Sequence, residues 1–151
     1  MRATQVSVIG SGSEWEARAE EVGRLLAERG CTVVSGGGGE VMAAAARGAK
    51  QAGGRTIGIL PGESPGEANE WIDFAVATGS GHARNLAVAA SGDAVIAVGG
   101  SWGTLSEIAF ARRLGRPTVV LAGGVVVEGE GILRAATPEQ AVELALSTLG
   151  S

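Results

Sequence analysis

Apolar residues along this chain gather into short continuous runs, separated by segments in which they recur every three or four positions. Short runs bounded by glycine read as buried strands, and the helical spacing reads as amphipathic helices packed on them. Gln5 to Ile9 is the first such strand. A helix is predicted from about Glu14 to Arg29, with Trp15, Ala19, Val22 and Leu26 on one face, Ser13 and Glu16 spaced as a capping box, and Gly30 at its end. Thr32 to Val34 reads as the second strand. Met42, Ala45, Ala46 and Ala49 stripe the second helix, which Gly53 and Gly54 stop, and Ile57 to Leu60 reads as the third strand.

The acidic, turn-rich stretch from Pro61 to Asp73 is expected to be a long solvated loop. A short strand at Phe74 to Ala77, a helix ending near Ala90 and a strand at Asp93 to Val98 follow. Another helix runs to the punctuation of Gly115 and Pro117, Thr118 to Leu121 reads as a strand, and Val125 to Val127 as an added edge strand. Thr137 caps the last helix, with Pro138 in its first turn and Val142, Ala145, Leu146 and Leu149 on one face. Strand and helix alternate throughout. The class this implies is α/β: a doubly wound, mostly parallel sheet with helices on both faces, folded as one domain over residues 1–151.

Four glycine turns follow strands at the edge where such sheets bind ligands. They are Gly10-Ser11-Gly12-Ser13, Ser35 to Gly39 with Gly36, Gly37, Gly38 and Gly39 in a row, Thr78 to Asn85, and Gly99-Gly100-Ser101-Trp102-Gly103-Thr104. Small residues let backbone approach a ligand closely, and the amides opening the next helix, at its positive dipole end, suit an anion such as phosphate. Thr104 can bond a phosphate oxygen or cap its helix. Glu107, three residues on, fits both a carboxylate at the same mouth and the last member of a plain capping box.

Composition narrows the partners. The 26 glycines cluster at the ends of apolar runs, and the net charge of −4 comes with no basic cluster, so nucleic acid is not expected as a partner. A single cysteine, Cys31, in apolar company, with no signal peptide and no membrane-length apolar run, leads to the expectation of a cytoplasmic protein without membrane attachment. Other phosphate and hydrolase patterns are missing. Trp15 stands where the dinucleotide fingerprint needs its third glycine, the sole lysine, Lys50, lies in mid-helix, and no paired His/Cys cluster or serine elbow is present. His82, the one histidine, can donate to a phosphate or stand idle in a loop.

Ser35-Gly-Gly-Gly-Gly-Glu-Val-Met42, Gly81-His-Ala-Arg-Asn85 and Gly99-Gly-Ser-Trp-Gly-Thr-Leu-Ser-Glu107 resemble, in this order, the motifs of the LOG-like superfamily, long labelled lysine decarboxylases. The likeness extends from residue 5 to about 122 and is nearest the branch containing molybdenum cofactor carrier proteins. The other branch holds nucleoside 5′-monophosphate phosphoribohydrolases. Against that branch's motif, Gly99 replaces proline, Ser101 replaces glycine and Asn85 replaces lysine, while Arg84, Gly100, Gly103, Thr104 and Glu107 are kept. The resemblance implies a Rossmann-like fold, a small phosphorylated ligand and a homodimer or homotetramer. Two functions follow from it. A carrier would hold the phosphate of molybdenum cofactor on the Gly99 to Thr104 amides with Arg84 beside it and needs no further cofactor; a hydrolase would use Arg84 and Glu107 as catalytic residues on a nucleoside monophosphate. The loss of a lysine at Asn85 favours binding.

Overall fold

A computed structural model describes residues 1–150. Its strands are β1 (Gln5–Ser11), β2 (Thr32–Ser35), β3 (Thr56–Leu60), β4 (Phe74–Ala77), β5 (Ala94–Gly99), β6 (Thr118–Leu121) and β7 (Ile132–Ala135). Between and after them run α1 (Glu16–Glu28), α2 (Val41–Gln51), α3 (Arg84–Ser91), α4 (Trp102–Arg113) and α5 (Pro138–Ser147). The strands form one 7-stranded sheet in the order β4-β3-β2-β1-β5-β6-β7, and every pair is parallel. Parallel strands need crossovers, and helices supply most of them.

Both faces of the central strands are covered, as their unbroken apolar sequence requires, while Phe74 and Val76 of the edge strand β4 stay exposed. On one face α1, α2 and α5 bring Ala19, Val22, Leu26, Ala45 and Val142 onto Val6, Val8, Val33, Ile96 and Leu121. On the other, α3 and α4 bring Val88, Ala89, Ile108 and Ala111 onto Ile9, Val34, Ile59, Ala97 and Val120. Lys50 is structural: its ammonium donates to the Gly54 carbonyl at 3.0 Å and pairs with Asp73 at 2.9 Å, just ahead of β4.

Three expectations are corrected. No strand forms at Val125 to Val127; the edge is β7, further on, where Ile132 to Ala135 register against Thr118 to Leu121. Valine-rich sequence lost to that pairing, and Val126 is left 92% exposed. The proposed Ser13–Glu16 box is absent as well. Ser13 to Trp15 form a 3-10 turn leading into α1, which starts without a side-chain cap because that turn already orients the entering chain. Nor is the Pro61 to Asp73 segment a free loop. Asn69 ties it to the β2 turn, its amide donating to the Gly37 carbonyl at 2.9 Å and its side chain to the Gly38 carbonyl at 2.8 Å.

Helices α1 and α2 touch through glycine. A Cβ on Gly48 would collide with the Glu20 carbonyl, and one on Gly23 with that of Ala45. Gly48→Ala is therefore expected to destabilise the fold by about 2 kcal/mol or more through overpacking, although alanine is the better helix former. Urea unfolding of the variant measures this, and a gain in stability would refute the close contact.

Candidate functional site

The sheet changes direction at β1. The chain builds outward from β1 to β4 on one side, then returns to place β5 on the other, so the turns after β1 and β5 diverge and leave a crevice between them. Gly10 makes the ladder possible there: at φ 135°, a Cβ on it would run into the Val98 carbonyl of β5.

The crevice has a volume of about 170 Å³. Its walls are Val8, Ile9, Gly10 and Ser11 from β1, Gly36 and Met42 from the β2 turn and α2, His82, Arg84 and Asn85 around the start of α3, and Ser101, Gly103, Thr104 and Glu107 around the start of α4. Four turns far apart in sequence thus meet. Among the residues expected from sequence, Gly12, Gly37, Gly38, Gly39, Gly99, Gly100 and Trp102 lie outside this lining. Several have structural duties. Space for a Cβ on Gly99 is taken by Trp15 and the Ser11 carbonyl, and on Gly100 by the Thr104 side chain, while the Trp102 indole is 85% exposed.

Arg84 is held from several sides. Its Nη1 donates to the Gly36 carbonyl at 2.6 Å and to the Ile59 carbonyl at 2.9 Å, and its Nε donates to Asn85 Oδ1 at 3.0 Å. Burial lowers the guanidinium below its usual pKa, opposed by Glu107, yet arginine stays charged. The network continues to α4. Asn85 Nδ2 donates to Ser106 Oγ at 3.1 Å, and Ser106 Oγ donates to the Gly103 carbonyl at 2.6 Å. Sequence reasoning missed Ser106, because a serine inside a helix carries no sign of which neighbour it will meet.

The cap of α4 differs from the expected Thr104–Glu107 box. Helical geometry begins at Trp102, so Ser101 is the N-cap residue, and Thr104 Oγ1 accepts the Ser101 amide at 3.2 Å. Glu107 sits a turn too far along to cap. Its side chain forms no hydrogen bond or salt bridge, feels the charge of Arg84 and lines the crevice. Burial pushes its pKa up from 4.5 to about 7, with Arg84 pulling the other way. The first-turn amides of Trp102 and Gly103 have no intrahelical partner and carry the positive end of the α4 dipole. Fixed amides, one guanidinium and one unpartnered carboxyl therefore converge.

Such a molecule is a single-domain, Rossmann-like α/β protein with a polar crevice at its topological switch point. The sequence pattern of the SLOG cluster4 family matches residues 3–147, and the chain belongs to that family. It is 42% identical to an uncharacterized protein of Archaeoglobus fulgidus over 151 residues, covering 98% of both chains. It is also 35% identical over 102 residues to a probable cytokinin riboside 5′-monophosphate phosphoribohydrolase of Oryza sativa subsp. japonica, a match covering 66% of this chain and 42% of that protein. Among solved structures, the molybdenum cofactor binding protein of Rippkaea orientalis superimposes with a TM-score of 0.92 at 33% identity, covering 99% of each chain. The molybdenum cofactor carrier protein of Chlamydomonas reinhardtii gives 0.90 at 31%, covering 99% of this chain and 100% of that one. The DNA processing protein A of Streptococcus pneumoniae, at 20% identity, shares the fold.

The raised pKa of Glu107 has a consequence for stability. The folded chain holds this proton more tightly than the unfolded chain, so rising pH withdraws stability between 4.5 and about 7, by up to about 3 kcal/mol. Glu107→Gln is expected to match wild type near the lower end of this window and exceed it at pH 8. Urea midpoints at both pH values decide, and equal stability at pH 8 would contradict the raised pKa of Glu107.

Proposed function

We propose that this protein binds a small phosphorylated ligand, pterin-like or nucleotide-like, and acts as a carrier in the manner named for its molybdenum cofactor-binding relatives. The observation that carries the reading is the meeting of the free first-turn amides of α4 with an arginine already locked by two carbonyls. A phosphate there gains charge-assisted bonds without reorganising its donors. Support also comes from the matches along nearly the whole chain to molybdenum cofactor-binding proteins. At about 170 Å³ the crevice is smaller than pockets that enclose a whole drug-sized ligand, so it suits the phosphate end of such a molecule. The rest of the ligand lies over the rim. The ligand is cargo, and the protein works as a homodimer or homotetramer in the cytoplasm, without nucleic acid or membrane partners.

A second reading has its own observation. Glu107, with a pKa of about 7 and no partner, is poised to move a proton or steady a developing positive charge at neutral pH. In that case the protein cleaves the N-glycosidic bond of a nucleoside 5′-monophosphate, with Arg84 on the phosphate or ribose.

Two variants separate these readings. Glu107→Gln is expected to bind phosphorylated ligand as well as wild type or better, since a negative neighbour is removed, and calorimetry with molybdenum cofactor or AMP measures this. Base release from a panel of nucleoside monophosphates by wild type, lost a hundredfold or more in Glu107→Gln, would overturn the carrier reading in favour of the hydrolase. Arg84→Lys is expected to lose about 1 to 3 kcal/mol of binding because an ammonium cannot reproduce the planar contacts. Unchanged affinity would confine Arg84 to its structural bonds.

A further inference from the structure

Glu40, at the junction of the β2 turn and α2, is the one described residue other than glycine with a positive φ, at φ 52° and ψ −122°. Glycine takes this conformation freely, whereas a side chain makes it strained, and such strain persists only where surrounding contacts hold it. The Glu40 contact crosses to another turn. Its Oε1 accepts the Gly12 amide at 3.3 Å, just beyond Ser11 on the crevice wall. Glu14 adds a second acid there, with Oε1 2.9 Å from where a Cβ on Gly12 would stand.

The α4 end and the β1 turn therefore present different groups to an anion: amides and Arg84 with the one carboxyl of Glu107 at the first, two carboxylates at the second. At the start of α4 the amides meet Arg84, the one arginine or lysine along the walls. Around the β1 turn, where sheets of this class ordinarily seat a dinucleotide's pyrophosphate, a carboxylate already holds the amide and another lies beside it. A second phosphate extending from the first toward Gly12 would face two carboxylates and an amide that is already taken. We propose that Glu40 is a specificity-determining residue: its carboxylate occupies the anion position of the β1 turn and so restricts the site to ligands with a single phosphate. This rests on the phosphorylated-ligand reading above.

The test compares phosphate with pyrophosphate, and AMP with ADP, by NMR titration of backbone amides in wild type, Glu40→Gln and Glu40→Gly. The glutamine keeps an acceptor for Gly12 and removes only the charge; the glycine also removes the backbone strain. Wild type is expected to favour the single-phosphate member of each pair. Both variants are expected to bind pyrophosphate and ADP at least tenfold more tightly relative to phosphate and AMP, with new shifts at Gly12. A preference unchanged within twofold in both variants overturns the role of Glu40 while leaving the crevice a phosphate site. Absence of any shift at Trp102 and Gly103 with all four probes overturns the phosphate reading itself, and the role of Glu40 with it.

Discussion

The close parallel pairing of β1 with β5 is the constraint on which the rest of this structure depends. Six residues of each strand register, from Val6 against Ala94 to Ser11 against Gly99, and the ladder reaches its last step only because neither Gly10 nor Gly99 carries a side chain. That pairing brings together two strands separated by most of the chain's chemistry. It also fixes where the order of the sheet reverses, and hence where the crevice opens. Helices α1 to α4 then have little choice of position, since each must bury its apolar stripe on one face or the other.

Arg84 performs the second organising task, on the scale of the site. One guanidinium bonds the turn after β2, the end of β3 and its own neighbour Asn85, and through Asn85 and Ser106 it reaches the first turn of α4. Three of the four glycine turns are thereby linked by hydrogen bonds that need no ligand. Donors fixed in advance cost little to present to a ligand. Glu107 makes no hydrogen bond to this network, and burial raises its pKa against the pull of Arg84. A carboxyl left without a partner beside an arginine is costly to keep, and both a carrier and a hydrolase must account for it.

Much of this was legible in the residues. The alternation of apolar runs with helical stripes located β1 to β6 and all five helices; the central strands, covered on both faces, must be apolar throughout. The glycine turns marked the edge of the sheet where the crevice opens. Local polar spacing was a poorer guide. Ser13 with Glu16 and Thr104 with Glu107 both have capping-box spacing, yet the first helix is entered through a 3-10 turn and the second is capped one residue after Gly100, by Ser101. A capping pattern depends on where helical dihedrals begin, and that is set by how the preceding strand ends. The edge strand was misplaced because the valines of Val125 to Val127 satisfy strand propensity without a neighbour to pair, whereas Ile132 to Ala135 lie in register beside β6.

What the sequence by itself determined is the class of the fold, the family motifs and the positions of the glycine turns, which follow from periodicity and from the small size of glycine. Which of those turns face the crevice was decided only by tertiary structure. Gly36 and Gly37 are neighbours in one glycine run, but the first lines the crevice and the second packs against Leu60 with its carbonyl held by Asn69. Arg84 was visible as a cation, and its two carbonyl partners, 48 and 25 residues away, were not. Glu40 looked like one more polar residue at a helix start until its backbone and its bond to Gly12 gave it a position. Periodicity is a property of neighbours in sequence and can be read along the chain; the direction of a side chain at a turn is fixed by contacts across the fold, and no spacing encodes them.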